Sequence, residues 1–251
     1  MKDNNMRKNA TVTSALEQRI TSQKKQSIDL NKWIFENIVI NSDDHILELC
    51  CGTGAQTKYF ADKISSGTLT AVDINEESIE IAQKSITNNN VNFVVSEIDK
   101  IENFNNKNYD LIFSAYGFYY SKNSEKLHSN LKNHLNENGR FVIVGPVVGN
   151  NKQLYEIIRS IGCKVPADIM EGSERFMLHF FETFLNNYKN VSIVRAINEI
   201  SYDNSEKLLN YWKNTTFYTS GYDKEFLNAV DEYFDNEIII NKSISILKGS
   251  L

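Results

Sequence analysis

Cysteine is scarce in this chain, and no hydrophobic run approaches the length that crosses a membrane. The 251 residues include only Cys50, Cys51 and Cys163, and an odd count with two adjacent members argues against a regular disulfide framework. No C-x-x-C pair indicates a zinc site, so we expect no metal and a reducing, cytoplasmic compartment. A transmembrane helix needs about 18 consecutive apolar residues, so no membrane association is expected. The N-terminal residues "MKDNNMRKNATV" lack the apolar stretch of a signal peptide.

Basic charge is also in short supply. The chain has 27 lysines and arginines against 32 aspartates and glutamates, which gives a net charge of −5 and a pI near 5.5. Affinity for a phosphate backbone comes from the lysines and arginines that neutralise its charge. The composition therefore argues against a nucleic acid as the main partner.

Strand-like and helix-like segments alternate through the first 146 residues. The strand-like segments are "HILEL", "GTLTAVDI", "VNFVVSEI", "YDLIFSA" and "RFVIVGP". Short turns and helix-compatible stretches separate them, which predicts βαβ units and a parallel sheet. Because these strands are almost continuously apolar, both faces of the sheet are expected to be covered.

Breaks in this alternation divide the chain into four parts. We predict a polar tail at 1–13, a ligand-binding core at 14–146, a helical insertion at 147–190 and completing strands and helices at 191–251. Within the core, one helix is expected over residues 14–37. A second is expected from about residue 125 to residue 136, closed by Gly139. Asn75 is the expected N-cap of a third helix.

The stretch "ELCCGTGAQT", residues 48–57, joins the first strand to the following helix. Glycines at such a junction let a ligand approach the backbone closely. A dinucleotide-binding turn has a third glycine where this chain has Thr57, which counts against a nicotinamide cofactor. A phosphate-binding P-loop is excluded because no G-K-[ST] follows.

The same stretch resembles motif I of the class I S-adenosylmethionine-dependent methyltransferases, commonly E/D-x-G-x-G-x-G. Glu48, Gly52 and Gly54 match this motif, and Cys50 stands in place of its first glycine. The resemblance continues in register from about residue 44 to residue 146, through "SEID", "YDLIFSAYGFYY" and "LNENGRFVIVGP". It implies an α/β, doubly wound Rossmann-like fold. The sheet should be seven-stranded and mostly parallel, and a helical lid should follow its fifth strand.

The resemblance also implies S-adenosyl-L-methionine as the cofactor and indicates the residues that bind it. Backbone N–H groups of residues 51–55 are expected to meet its carboxylate, and Glu48 its ammonium group. Asp73, at the end of the second strand, should accept hydrogen bonds from the ribose. Glu97 and Ile98 should contact the adenine edge, and Ile74 one face of its ring. The expected cofactor-binding set is Glu48, Cys50, Gly52, Thr53, Gly54, Asp73, Ile74, Glu97, Ile98 and Ser114.

Three residues are candidates for work at the methyl acceptor. Tyr116 and Tyr119 follow the fourth strand, where an aromatic face suits a sulfonium cation. The alternative is that at least two of the four aromatic residues here, Tyr116, Phe118, Tyr119 and Tyr120, cover the sheet. His179 is a candidate general base. It lies in "SERFMLHFFETFL", where Phe176, Phe180 and Phe184 recur at helical spacing, as either core or lid residues.

The predicted function is methyl transfer to an oxygen or nitrogen of a small metabolite or a carrier-bound acyl group. The order of elements is similar to that of small-molecule methyltransferases that act on malonyl carriers and trans-aconitate. Three alternatives stay open at this point: a cofactor-binding module without catalysis, an NAD(P)-dependent oxidoreductase, and a methyltransferase that acts on RNA or protein. The sequence does not indicate the acceptor or the oligomeric state.

Overall fold

A seven-stranded β-sheet organises the protein in a computed structural model, which describes residue 9, residues 11–103 and residues 108–251. Its strands are β1 (His45–Leu49), β2 (Thr68–Asp73), β3 (Val91–Val95), β4 (Tyr109–Ala115), β5 (Leu135–Pro146), β6 (Lys189–Tyr202) and β7 (Ile238–Ser250). Their order is β3-β2-β1-β4-β5-β7-β6. β1 runs parallel to β2 and β4, and the pairs β2–β3 and β4–β5 are also parallel. The predicted doubly wound, mostly parallel seven-stranded sheet is confirmed.

Helices connect these strands, as the alternating pattern predicts. They are α1 (Thr13–Ser22), α2 (Leu30–Glu36), α3 (Ala55–Lys63), α4 (Glu76–Ser85), α5 (Ser124–Lys132), α6 (Lys152–Ser160), α7 (Ala167–Met170), α8 (Phe176–Asn187), α9 (Ser205–Lys213) and α10 (Asp223–Tyr233). Short 3₁₀ turns occupy Ile101–Asn103 and Phe118–Tyr120, and a π-helical turn occupies Glu171–Arg175. Among the described residues, no helix is both long and apolar enough to span a membrane.

Two expected helix boundaries are wrong. The single helix expected over residues 14–37 is split into α1 and α2, because the polar run "SQKKQS" between them has no apolar residue to continue a buried stripe. Gly139 does not close a helix, since α5 ends at Lys132 and Gly139 lies within β5. A β-carbon on Gly139 would lie 2.8 Å from the Asn136 carbonyl oxygen, so the glycine permits a tight backbone approach inside the strand.

The chain forms two compact units. Unit 1 comprises Met1–Asp29, Pro146–Arg175 and Ala196–Ile244; unit 2 comprises Leu30–Gly145, Phe176–Arg195 and Ser245–Leu251. Unit 1 has a hydrophobic core that includes Leu154, Ile158, Leu208, Trp212, Phe226 and Val230. Unit 2 has a core on the sheet that includes Ile34, Ile46, Phe60, Leu111, Phe113 and Val142.

The predicted four-part division does not coincide with these units. Most of the predicted tail, residues 1–13, lies outside the described residues. The segment 147–190 is helical, but α6 and α7 fall in unit 1 whereas α8 falls in unit 2. A lid function for this segment stays a prediction.

Candidate active site

The loop between β1 and α3 adopts an unusual backbone conformation. Cys50, Gly52 and Gly54 have φ values of 59°, 54° and 86°, in a region that residues with a β-carbon rarely adopt. The Cys51 N–H donates to the Val72 carbonyl at 3.0 Å, and the Gly54 N–H donates to the Cys51 carbonyl at 3.0 Å. The loop is therefore a tight turn held at the carboxyl edge of β1 and β2.

Two glycines allow close approach around this turn. A β-carbon on Gly54 would lie 2.9 Å from Ile86 Cδ1 and 3.0 Å from Ala82 Cβ, so Gly54 lets the end of α4 pack against the turn. A β-carbon on Gly117 would overlap Cys50 Cβ and lie 2.5 Å from Cys50 Sγ. The space that the cysteine side chain needs is thus provided by a glycine after β4.

The expectation that the N–H groups of residues 51–55 are open is wrong for three of them. Those of Cys51 and Gly54 are bonded within the fold, as described, and that of Gly52 donates to Asp73 Oδ2 at 2.8 Å. The first N–H groups of α3, from Ala55 onward, have no intrahelical acceptors because a helix has none at its N-terminus. Any anion at this turn would meet the start of α3, with the positive end of its dipole.

Asp73 ends β2 and joins the turn to the next helix. Its Oδ2 accepts from Gly52 N, and its Oδ1 accepts from Asn75 N at 2.9 Å. The Ile74 backbone N–H also bonds this carboxylate, and because a carboxylate has about four lone-pair sites, Asp73 can accept a further hydrogen bond from a ligand. Burial raises the pKa of Asp73, and the backbone donors at Asn75 and Gly52 oppose that rise.

Glu48 has a buried carboxyl oxygen that lacks a hydrogen-bond partner in the described part of the chain. It is 1% exposed, and its Oε2 has no hydrogen-bond partner among the described residues. Burial raises the pKa of Glu48 to about 8; a hydrogen bond with the Thr57 side chain of α3 opposes this rise, and the Asp73 carboxylate adds to it. A buried carboxyl oxygen that lacks a donor is suited to receive a cationic or N–H-bearing ligand.

The two cysteines of the turn are not activated. Burial raises the pKa of both the Cys50 and the Cys51 thiols, and nearby carboxylates, Asp73 and Glu48 among them, add to this effect. Because the thiolate is the reactive form of cysteine, these residues act here as small packing groups. All three cysteines are free.

The loop after β3 contains the residues expected near an adenine. Ser96 N donates to the Asp73 carbonyl at 2.9 Å, which fixes this loop beside the end of β2. The Glu97 carboxylate pairs with Lys122 at 2.9 Å and Lys100 at 3.2 Å, and these hydrogen bonds, that from Lys122 first, lower its pKa. Ile98 is buried, whereas Ile74 is 42% exposed and offers an apolar surface beside Asp73.

Two further residues at this loop were missed in the sequence analysis. The Asp99 carboxylate accepts hydrogen bonds from the Ser121 hydroxyl and, at 2.9 Å, from the Lys122 N–H. Asp99 and Lys122 therefore connect the loop after β3 to the segment after β4. Sequence offered only one signal for them, which is that Asp99 follows β3 and Lys122 follows β4, two parallel strands whose carboxyl ends lie on the same edge of the sheet.

The segment after β4 contains Ser114 and the predicted tyrosines. The buried Ser114 hydroxyl donates to the Leu49 carbonyl at 3.2 Å, which ties β4 to the start of the turn. Tyr116 has a φ of 55°. Half-buried Tyr119 places its ring 4.8 Å from Tyr120 and 5.8 Å from Phe176. The alternative role of covering the sheet fits Phe118, which is fully buried against Phe141 and Phe180.

His179 lies on the exposed side of α8. Its Nε2 is 2.8 Å from Glu125 Oε1, and its side chain is 56% exposed. Its ring neighbour is Phe180. The structure thus brings together Glu48, Asp73, Ser114 and the glycine turn, and it pairs His179 with α5. A role for His179 as a base stays a prediction.

These features define a class of protein. A strand order of β3-β2-β1-β4-β5-β7-β6, a left-handed glycine turn after β1 and a carboxylate at the end of β2 define the class I S-adenosylmethionine-dependent methyltransferase fold. Residues 46–139 match the family described as "Methyltransferase domain". Residues 46–139 therefore form a methyltransferase domain, which agrees with the predicted resemblance to the class I S-adenosylmethionine-dependent methyltransferases.

Curated relatives point in the same direction. A malonyl-[acyl-carrier protein] O-methyltransferase from Ilyobacter polytropus is 26% identical over 67% of this chain and 60% of its own length. An enzyme of the same name from Priestia megaterium is 33% identical over 37% of this chain and 32% of its own length. The chain thus spans between a third and three fifths of the length of these two relatives.

Solved structures share the fold. A methyltransferase-like protein from Bacillus halodurans has a TM-score of 0.63 at 11% identity, with coverage of 89% of this chain and 99% of the other. The YcgJ protein from Bacillus subtilis has the same TM-score at 16% identity, with coverage of 88% and 97%. At these identities the likeness establishes the fold alone.

Proposed function

We propose that this protein transfers a methyl group from S-adenosyl-L-methionine to an oxygen or nitrogen of a small metabolite or a carrier-bound acyl group. The observation that supports it most strongly is the buried Glu48 carboxyl group in the strand that leads into the glycine turn, because its Oε2 has no hydrogen-bond partner among the described residues. Burying a polar group without a partner is unfavourable. A cofactor with an ammonium group supplies the missing donor.

The residues present fit the rest of the cofactor. Gly52 and Gly54 allow the backbone to approach its amino-acid part, and the start of α3 suits its carboxylate. Asp73 keeps acceptor capacity for a ribose hydroxyl group beside its three backbone donors. Ile74 and Ile98 offer apolar contact to the adenine, and the predicted contact from Glu97 would have to coexist with its two lysine partners. When bound, the cofactor supplies an electrophilic methyl group on a sulfonium centre.

The protein's own contribution to methyl transfer is mainly positioning. Holding two reacting groups in line lowers the barrier by about 7–11 kcal/mol in well-oriented systems. Tyr116 and Tyr119 follow β4, at the carboxyl edge where ligands bind in parallel sheets, and we assign to them the orientation of the acceptor. A carboxylate acceptor would need no base, whereas an amine or alcohol would need one, for which His179 is the candidate.

The relatives favour a carrier-bound acyl group as the acceptor, because both are named for a malonyl group on acyl-carrier protein. The net charge of −5 supports a non-nucleic-acid substrate. Three free cysteines support a reducing, cytoplasmic location.

Calorimetric titration with S-adenosylhomocysteine tests the cofactor assignment. We expect saturable binding to the wild type and binding weakened about tenfold or more in Asp73→Ala, because each hydrogen bond to a charged group contributes about 1.5–3 kcal/mol. Asp62→Ala is the matched control, since Asp62 is an exposed residue of α3. No heat at high micromolar ligand would refute the assignment, and quenching of NADH fluorescence instead would favour an oxidoreductase.

Incubation with labelled S-adenosylmethionine tests catalysis. We expect label in malonyl-carrier protein or in a member of a panel of small carboxylic acids, alcohols and amines. Binding of S-adenosylhomocysteine with no labelled product across the panel would favour a non-catalytic module.

A further inference from the structure

Unit 1 contains a buried lysine that the proposed methyl transfer does not use. Lys242, on β7, is 9% exposed. Its Nζ donates to Asn151 Oδ1 at 2.5 Å and to the Tyr211 hydroxyl oxygen, and it lies 4.4 Å from the centre of the Tyr211 ring. An ammonium group has three donors, and these two acceptors are the ones that the described residues provide.

The charges around Lys242 do not compensate its own. No carboxylate of the described residues lies within ion-pair distance of Lys242 or of Arg19. The Arg19 guanidinium, whose acceptors are the carbonyl oxygens of Asn9 and Asn214, acts on Lys242 as a second positive charge. Burial, followed by Arg19, lowers the pKa of Lys242 to about 7. One carboxylate, that of Glu174, acts on the neighbouring Tyr155 hydroxyl, and it forms no ion pair with either cation among the described residues.

Hydroxyl and amide groups surround this cation. The Tyr155 hydroxyl hydrogen-bonds with the side chains of Asn151 and Ser173, and Ser173 belongs to the π-helical turn Glu171–Arg175. The buried Tyr202 hydroxyl has no partner among the described residues, and its ring lies 5.8 Å from that of Tyr211. π-helical turns often occur at functional sites.

The local backbone places these groups at the carboxyl end of β5. Val147 N donates to the Ser243 carbonyl at 3.1 Å, and Asn151 N to the Asn241 carbonyl at 2.8 Å. Asn151 has a φ of 56°, a conformation that costs energy for most residues and that asparagine tolerates. The residues after β5 are thus held on both sides of Lys242 by its own strand.

We propose that unit 1 contains a carboxylate-binding site built on Lys242, Tyr211 and Asn151, which takes the carboxylate end of an organic acid. A carboxylate would provide the missing countercharge and an acceptor for the third ammonium hydrogen. Its single charge matches the one buried ammonium, since the Arg19 guanidinium already serves two backbone carbonyls. The ring of Tyr155, whose hydroxyl shares Asn151 with Lys242, provides apolar contact for the hydrocarbon part of the acid.

Thermal unfolding of the full chain at pH 6.5, followed by circular dichroism, tests this site. Sodium butyrate and sodium benzoate should raise the unfolding temperature saturably, by about 5 °C at a hundredfold excess over the dissociation constant. Sodium chloride at equal ionic strength should not do so. Lys242→Met should bind the acids at least about tenfold more weakly, as measured by the acid concentration that raises the unfolding temperature. Lys207→Met, which removes an exposed lysine of α9, should respond like the wild type.

Lys242→Met is expected to fold, because burying a charge without a countercharge is costly and an apolar side chain of similar length avoids that cost. If it does not fold, Tyr211→Phe removes one hydroxyl group and should weaken the response in the same way. The affinity for S-adenosylhomocysteine should be the same in Lys242→Met and the wild type, so that this inference and the proposed function fail separately. The inference is overturned by the absence of a saturable response to both acids, by an equal response in Lys242→Met, or by a response to inorganic phosphate alone.

Discussion

Replacement of Glu48 by glutamine should make the protein more stable, and increasingly so as the pH rises. Burial raises the pKa of Glu48 from 4.5 to about 8 in the folded protein. Between those two values the unfolded chain has lost the proton that the folded chain still holds. The unfolded state therefore binds fewer protons, and the free energy of unfolding of the wild type falls as the pH increases. Glutamine does not titrate, so this loss is absent in the variant.

The size of the effect follows from the interval between the two pKa values. Each pH unit corresponds to about 1.4 kcal/mol, so that the full interval amounts to roughly 4–5 kcal/mol at pH 8 and above. Near pH 4.5 the stability difference between variant and wild type from this source is small. Residual water around the carboxyl group would reduce this figure, and we expect a difference of at least about 2 kcal/mol between pH 5 and pH 8.

Urea unfolding followed by circular dichroism at pH 5, 6, 7 and 8 measures this difference. Any constant offset from the glutamine amide cancels, because the readout is the change with pH of the gap between variant and wild type. The exposed Glu77, on α4, provides the control variant Glu77→Gln, for which the gap should stay constant. Parallel curves for Glu48→Gln and the wild type would refute the inference that Glu48 is a buried, protonated acid at neutral pH.

Two smaller changes test the local structure that frames the site. Asn75→Ala removes the 2.8 Å hydrogen bond from Ser78 N to Asn75 Oδ1 and should lower the free energy of unfolding by about 1 kcal/mol. Asn75→Asp should restore the stability. Equal urea midpoints for the wild type and both variants would contradict the role of Asn75 as a helix cap. In Gly117→Ala, overlap with Cys50 should lower the free energy of unfolding by about 1–3 kcal/mol, and an unchanged urea midpoint would contradict the packing found here.

Much of the fold was accessible from sequence because its signals are local. The apolar strands and the amphipathic helices between them repeat at regular intervals, and the N-cap at Asn75 follows from one residue type at the start of a helical stretch. The carboxylates Glu48 and Asp73 were indicated by the resemblance to motif I and to the acidic residue at the end of the second strand, and their binding roles stay predictions.

The parts that could not be predicted depend on contacts between distant segments. The N–H group of Gly52 donates to Asp73, 21 residues away, and sequence does not show that this donor is occupied. Gly139 looked like a helix end because glycine serves both helix ends and close strand approaches. The burial of Lys242 was invisible for a similar reason, since a lysine on a strand is usually exposed and its partners lie on α9 and at the start of α6.

The departure of Cys50 from the glycine motif shows how such long-range contacts change what a turn requires. The backbone at Cys50 has a φ of 59°, so the cysteine accepts a conformation that a glycine would adopt at lower cost. The side chain then needs space, and Gly117, whose own φ of −131° any residue could adopt, leaves that space open. The constraint on Gly117 is therefore the cysteine and not its backbone conformation. If this is correct, Cys50→Gly should recover most of the stability that Gly117→Ala loses, whereas additive losses in the double variant would show that the two positions are independent.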